Sequence, residues 1–245
     1  MPVISVRRSA GLVLSALALA ALSASAVPQA RAQLRGVLMY PSVSEYQQVS
    51  ASTVPPTEAN CFAATIRCFT PQAMRAAYNL GPLYAQGVTG TGYTIAIVDS
   101  YGNDNMANDL HVYDQAFGLP PLCGEAGVAC TPGMPWFRTF SFQGSVATKA
   151  PPSTAKSPGQ EDKSAWALET ALDVETAHSM APGANILLVT TPTAETLGVQ
   201  GFPDMMNAEQ YVVDHHMADV ISQSFGSAEE AFGSPQSLLN LRYAF

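Results

Sequence analysis

Two carboxylates one helical turn apart, Glu169 and Asp173, lie in the stretch Trp166-Ala-Leu-Glu-Thr-Ala-Leu-Asp-Val-Glu175. On an α-helix a spacing of four residues puts both on one face. Exposed to solvent, two like charges so placed mildly destabilise the helix. Partly buried, they share a proton or recruit a donor, and their titrations split into those of a coupled pair. One acid then becomes a proton acceptor that the other holds in place, as general-base chemistry requires. On spacing alone, a pair of solvated surface acids is the commoner outcome.

The other reactive residue types offer less. His215 and His216 are adjacent, so on a helix they point about 100° apart and do not make the i, i+4 pair of a zinc helix, while His111 and His178 stand alone. No metal ligands are therefore assigned. The glycines of Gly87-Val-Thr-Gly90-Thr-Gly92 precede an apolar run, whereas a dinucleotide loop follows its strand; they read as a turn feeding Tyr93. Cys61 and Cys68 form one local couple and Cys123 and Cys130 another. Four cysteines allow three pairings, and nearness favours the local one. Neither couple has the C-x-x-C spacing of a zinc site.

Length and composition limit the setting. The 245 residues are 47% hydrophobic and 12% charged, with a net charge of −8, which suits one sizeable α/β domain and opposes a nucleic-acid partner held by a basic surface. Arg7 and Arg8, the apolar run Ala10–Leu22 and the small-residue patterns Ala24-Ser25-Ala26 and Ala30-Arg31-Ala32 read as a secretory signal over residues 1–32. The run is shorter than the ~20 residues of a bilayer span, so no stable membrane insertion is expected after cleavage. Cleavage removes three arginines and no acid, taking the formal charge from −8 to −11. An exported chain, in the medium or the periplasm, favours disulfides over free thiols.

These acids need a scaffold. Residues 33–68 read as an arm, 28 residues without sustained periodicity from Gln33 to Asn60 followed by a small cysteine loop. From Thr70-Pro71 a helix is expected over Pro71–Tyr78, then turn residues over Asn79–Gly92. Tyr93-Thr-Ile-Ala-Ile-Val-Asp99 and Asn185-Ile-Leu-Leu-Val-Thr190 are β-branched, apolar runs of the kind buried on both faces of a parallel sheet, and Asp219–Ser222 begins a third. Helices are expected over Asn105–Phe117, Ser164–Met180 and Asp204–Met217, and Gln143–Gln160 reads as an exposed loop. The alternation argues for a parallel sheet with helices on its faces.

The order of these segments resembles the sedolisin family of serine-carboxyl peptidases over about Phe69 to Glu229. It is carried by Thr-Pro-Gln-Ala-Met-Arg-Ala-Ala-Tyr78, Gly90-Thr-Gly-Tyr-Thr-Ile-Ala-Ile-Val-Asp99, Glu169-x-x-x-Asp173 with Ala181-Pro-Gly-Ala-Asn-Ile-Leu-Leu-Val189, and Val220-Ile-Ser-Gln-Ser-Phe-Gly226. Cys61 and Cys68 just before Thr70-Pro71 resemble bacterial members. The resemblance implies a subtilisin-like α/β fold and a Ser-Glu-Asp triad in place of Ser-His-Asp. Glu169 would be the general base and Asp173 the residue that orients it and holds a shared proton. In acid an imidazole is already protonated, whereas a carboxylate titrating near pH ~4 still accepts. Ser224-Phe225-Gly226 would line the cleft and take a polypeptide substrate by strand addition. Asp99, at the end of the first central strand, would have a structural or secondary role in the carboxylate network.

The family's nucleophile lies in a Gly-Thr-Ser segment, and an aspartate stabilising the oxyanion lies between the Ser-x-Gly strand and that serine. Neither follows Ser224 within these 245 residues. Residues 69–245 are therefore expected to be the N-terminal portion of a peptidase domain, incomplete at the C-terminus and inactive as it stands. The chain itself is expected to hold no cofactor, and the family's calcium site would belong to the missing C-terminal region. The alternative, from another class, is a secreted noncatalytic α/β module that binds peptides along the Ser224 edge.

Overall fold

In the computed structural model, residues 40–41, 52–144, 160–192 and 201–226 are described. The secretory signal, most of the arm and most of the loop read at Gln143–Gln160 lie outside them. The elements run β1 (Tyr40–Pro41), α1 (Glu58–Ala63), α2 (Pro71–Ala77), α3 (Gly81–Tyr84), β2 (Thr94–Ser100), α4 (Met106–Phe117), β3 (Phe137–Ser141), α5 (Gln160–Met180), β4 (Asn185–Thr191), α6 (Gly201–Asp214), β5 (Val220–Ser222) and β6 (Phe225–Gly226).

Local chemistry sets several of these boundaries. Thr70 caps α2 by accepting the Ala73 N–H at 3.2 Å, with Pro71 in the first turn, where its missing N–H is harmless. Gly118 ends α4 in the left-handed region at φ 66°, which glycine adopts without Cβ strain. At Gly183 the reason is space: a Cβ there would meet the Thr91 and Thr89 hydroxyls at 2.5 and 2.6 Å. The Pro182-Gly183 turn therefore packs directly on the Gly90 turn, and Gly183 N–H donates to the Thr89 carbonyl at 2.8 Å. This contact brings the lead into β2 and the lead into β4 side by side.

Four strands form one all-parallel sheet in the order β3-β4-β2-β5. The register sets Asp99 opposite Thr190 and Ile97 opposite Leu188. Alternate side chains face opposite ways. Ala96, Val98, Leu187 and Val189 pack with Met205 and Val212 of α6, while Ile97, Ile186 and Leu188 pack with Leu110 of α4 and Val174 of α5. Helices therefore cover both faces. The chain leaves β2 through α4 on one face and leaves β4 through α6 on the other. The crevice outside the carboxyl ends of these two neighbouring strands is thus a topological switch point, where parallel α/β sheets form ligand sites.

The sheet has a strand beyond those expected from the sequence. Phe137–Ser141 adds to β4 at one margin of the sheet, between α4 and α5 in the chain. Both disulfides are local, Cys61–Cys68 and Cys123–Cys130, as nearness favoured. They accord with an oxidising compartment. No helix among the described residues is long and apolar enough to cross a membrane.

Candidate active site

The acid pair sits on α5. Trp166, Thr170, Val174 and His178 repeat every four residues along its buried face, and Glu169, beside Thr170, is 0% exposed. Asp173, one turn on, is half-buried. Leu168 and Leu172, the residues just before the two acids, are 37% and 44% exposed. The helix thus turns its acids inward and two leucines outward, the reverse of what burial of apolar area favours.

The inward-facing acids meet a third. Asp99, near the carboxyl end of β2, is fully buried, and neither of its carboxyl oxygens has a hydrogen-bond partner of good geometry. Burial first, then the charges of Asp173 and Glu169, push its pKa well above the usual carboxylate range. The Thr170 hydroxyl, which donates to the Trp166 carbonyl at 2.9 Å, offsets part of that rise. Asp173 is raised from 3.8 to about 6, by burial and secondarily by the Glu169 charge, while a hydrogen bond with the Ser224 side chain pulls it down. The fold therefore gathers Asp99, Glu169, Asp173 and Ser224 at one end of the sheet, the end where the switch point lies.

Ser224, assigned from the sequence to the cleft edge, lies close enough to Asp173 for its hydroxyl to lower the pKa of that carboxyl. Phe225 and Gly226 form β6, which pairs antiparallel with β1 in the register Tyr40 to Gly226 and Pro41 to Phe225. The strand paired there, Tyr40–Pro41, comes from the N-terminal arm.

Other buried polar groups escaped the sequence reading. His178 directs Nε2 at the Pro120 carbonyl, 2.8 Å away, with Asp114 Oδ2 at 3.1 Å. That proton being aligned on Pro120, the Asp114 contact is one of proximity rather than a hydrogen bond. Glu125 accepts the Leu122 N–H and lies 3.2 Å from His111 Nδ1; burial more than nearby Asp114 raises its pKa. Together these groups tie the Cys123–Cys130 loop to α4 and α5. The available signal was period: His178 continues the Trp166, Thr170, Val174 stripe, and Glu209 falls four residues after Met205 on the buried face of α6.

A cleft of about 700 Å³ between Val54–Pro56 and α4 lies away from the acid pair. It is lined by two acids, Asp109 and Glu175, and Glu175 is raised to about 8 by burial and by the charges of Asp109 and Asp114. Among the described residues no group of three or more His, Cys, Asp or Glu side chains is arranged to hold a metal ion. No protein-family model matches the chain, and no curated protein matches it significantly.

Proposed function

We propose that this chain carries the acid half of a serine-carboxyl peptidase site of the sedolisin type, in a secreted endopeptidase that hydrolyses polypeptides at acidic pH. The observation that carries this reading is Glu169, fully buried beside Asp173 and Asp99 on a helix that exposes its leucines. Carboxylates so clustered at the carboxyl end of a parallel sheet serve chemistry better than stability, since their mutual repulsion and desolvation both oppose folding.

Glu169 acts as general base and Asp173 as the residue that orients it. Below about pH 6 Asp173 keeps its proton, and in this mechanism that proton is offered to Glu169 and orients it. Glu169 accepts the hydroxyl proton of the attacking serine as the tetrahedral intermediate forms, then returns it to the leaving amine. The resemblance puts that serine and its oxyanion-stabilising aspartate downstream of Ser224, with the remaining subtilisin-like strands and a calcium site. No Gly-Thr-Ser segment occurs in the 245 residues. The polypeptide substrate lies along Ser224–Gly226, where β1 of the arm now pairs, so substrate must displace the arm.

The test is hydrolysis of a denatured protein substrate near pH ~4 by the chain extended through its downstream reading frame. Glu169→Gln is expected to lower kcat by roughly 10²–10⁴-fold, the usual worth of a general base. Full retained activity would remove Glu169 from that role. The second reading, a noncatalytic peptide-binding module, is favoured by the strand already paired with β6. A downstream frame without Gly-Thr-Ser would select it.

A further inference from the structure

We infer that Glu209 is a positioning residue for the peptide edge, acting through Gln223. The inference rests on the reading of Ser224–Gly226 as the edge to which substrate adds.

Gln223 and Ser224 are consecutive in the short link between β5 and β6. Their side chains go to helices that cover opposite faces of the sheet. Ser224 lies by Asp173 of α5, whose pKa its hydroxyl lowers, while Gln223 Nε2 donates to Oε2 of Glu209 on α6 at 2.7 Å. The link is thus tethered to α6 by a hydrogen bond and lies by a carboxyl of α5 on the other face.

Glu209 is 2% exposed, among Met205, Met206, Ala208 and Val212, and its other oxygen has no hydrogen-bond partner. Burying a carboxyl in apolar surroundings for one hydrogen bond is a poor device for stability, since an apolar side chain of like volume would serve the core as well or better. What the bond does supply is position. Gln223 is exposed and has no core packing to hold it, so its tether to a buried helix fixes the link one residue before Ser224. Burial also pushes the Glu209 carboxyl up to about 7, and the Gln223 bond offsets part of that. Charged or neutral, the carboxyl keeps an oxygen that accepts the Gln223 N–H.

Hydrogen exchange of the full chain at one acidic pH tests this, comparing wild type with Glu209→Leu, Glu209→Gln and Gln223→Ala. Glu209→Leu and Gln223→Ala should each speed amide exchange over residues 223–226 about ten-fold, the equivalent of about 1.4 kcal/mol, with the protection of β2 and β4 unchanged. The double variant should do no more than either single one. Glu209→Gln should stay within about three-fold of wild type, because its amide oxygen still accepts the bond. Gln223 is exposed, so Gln223→Ala leaves the core intact and the test readable should Glu209→Leu not fold. Unchanged exchange at 223–226, acceleration shared equally with β2 and β4, or a Glu209→Gln variant as unprotected as Glu209→Leu would each overturn the inference. No peptide bond needs to be cut in this assay. Retained hydrolysis by Glu169→Gln would remove the peptidase reading alone, and unchanged exchange would remove the positioning role alone.

Discussion

Raising the pH from about 4 to 8 should progressively destabilise this protein. Burial holds Glu175, Glu209 and Asp173 at about 8, 7 and 6, against 4.5, 4.5 and 3.8 when unperturbed, and raises Asp99 and Glu125 as well. A carboxyl whose pKa is raised by folding binds its proton more tightly in the native state. Between the two values the native state therefore holds more protons than the unfolded one, and stability falls with pH. The contribution is fully present below about pH 4 and is lost as pH passes through each folded value. At about 1.4 kcal/mol per pH unit, Glu175 and Glu209 account for on the order of 4 and 3 kcal/mol. Asp173 is partly open to solvent and contributes on the order of 1 kcal/mol after screening. That is a large share of the roughly 5–15 kcal/mol that holds a typical domain together. Urea unfolding followed by the fluorescence of Trp136 and Trp166, from pH 4 to pH 8, measures it directly. The midpoint should drop steadily over the range, and Glu175→Gln should flatten the upper part of the curve. A midpoint that is constant or rises between pH 4.5 and 8 would refute the reasoning, because these carboxyls would then not be neutral in the folded protein.

Three further outcomes follow from packing. Gly183→Ala should cost roughly 1–3 kcal/mol in urea unfolding, since its Cβ would collide with Thr89 and Thr91 where two turns meet. Cys123→Ser should lose roughly 2–3 kcal/mol of stability under non-reducing conditions, through greater freedom of the unfolded loop, and the loss should vanish when wild type is compared in reductant. On α5, Leu172→Ser should change stability by less than about 0.5 kcal/mol, whereas Val174→Ala should cost about 2 kcal/mol. Equal effects at the two sites would contradict the orientation of the helix.

Much of the scaffold was legible in the sequence because its central strands are buried on both faces. Thr94–Ser100 and Asn185–Thr191 lie within a residue of the expected runs, and α2 and α4 begin and end within a residue of their proline, glycine and capping signals. Phe137–Ser141 was not foreseen. It pairs only with β4, so it tolerates exposed Arg138 and Thr139 and lacks the continuous apolar run of a central strand. The one-turn α3 inside a stretch read as turns, and the starts of α5 and α6 at Gln160 and Gly201, lacked a strong capping signal in the sequence.

The site divides in the same way. Helical period alone put Glu169 and Asp173 on one face, since the geometry of a helix is local. Leu168 and Leu172 repeat at the same interval one residue earlier, so the sequence held two competing stripes about 100° apart and no local rule to choose between them. Tertiary packing chose. Trp166 and Val174, both fully buried on one stripe of α5, fix its rotation so that the acids turn toward Asp99 and the leucines toward water. The approach of Ser224 to Asp173 and the bond from Gln223 to Glu209 join residues far apart in the chain, and only the closed sheet brings them within reach.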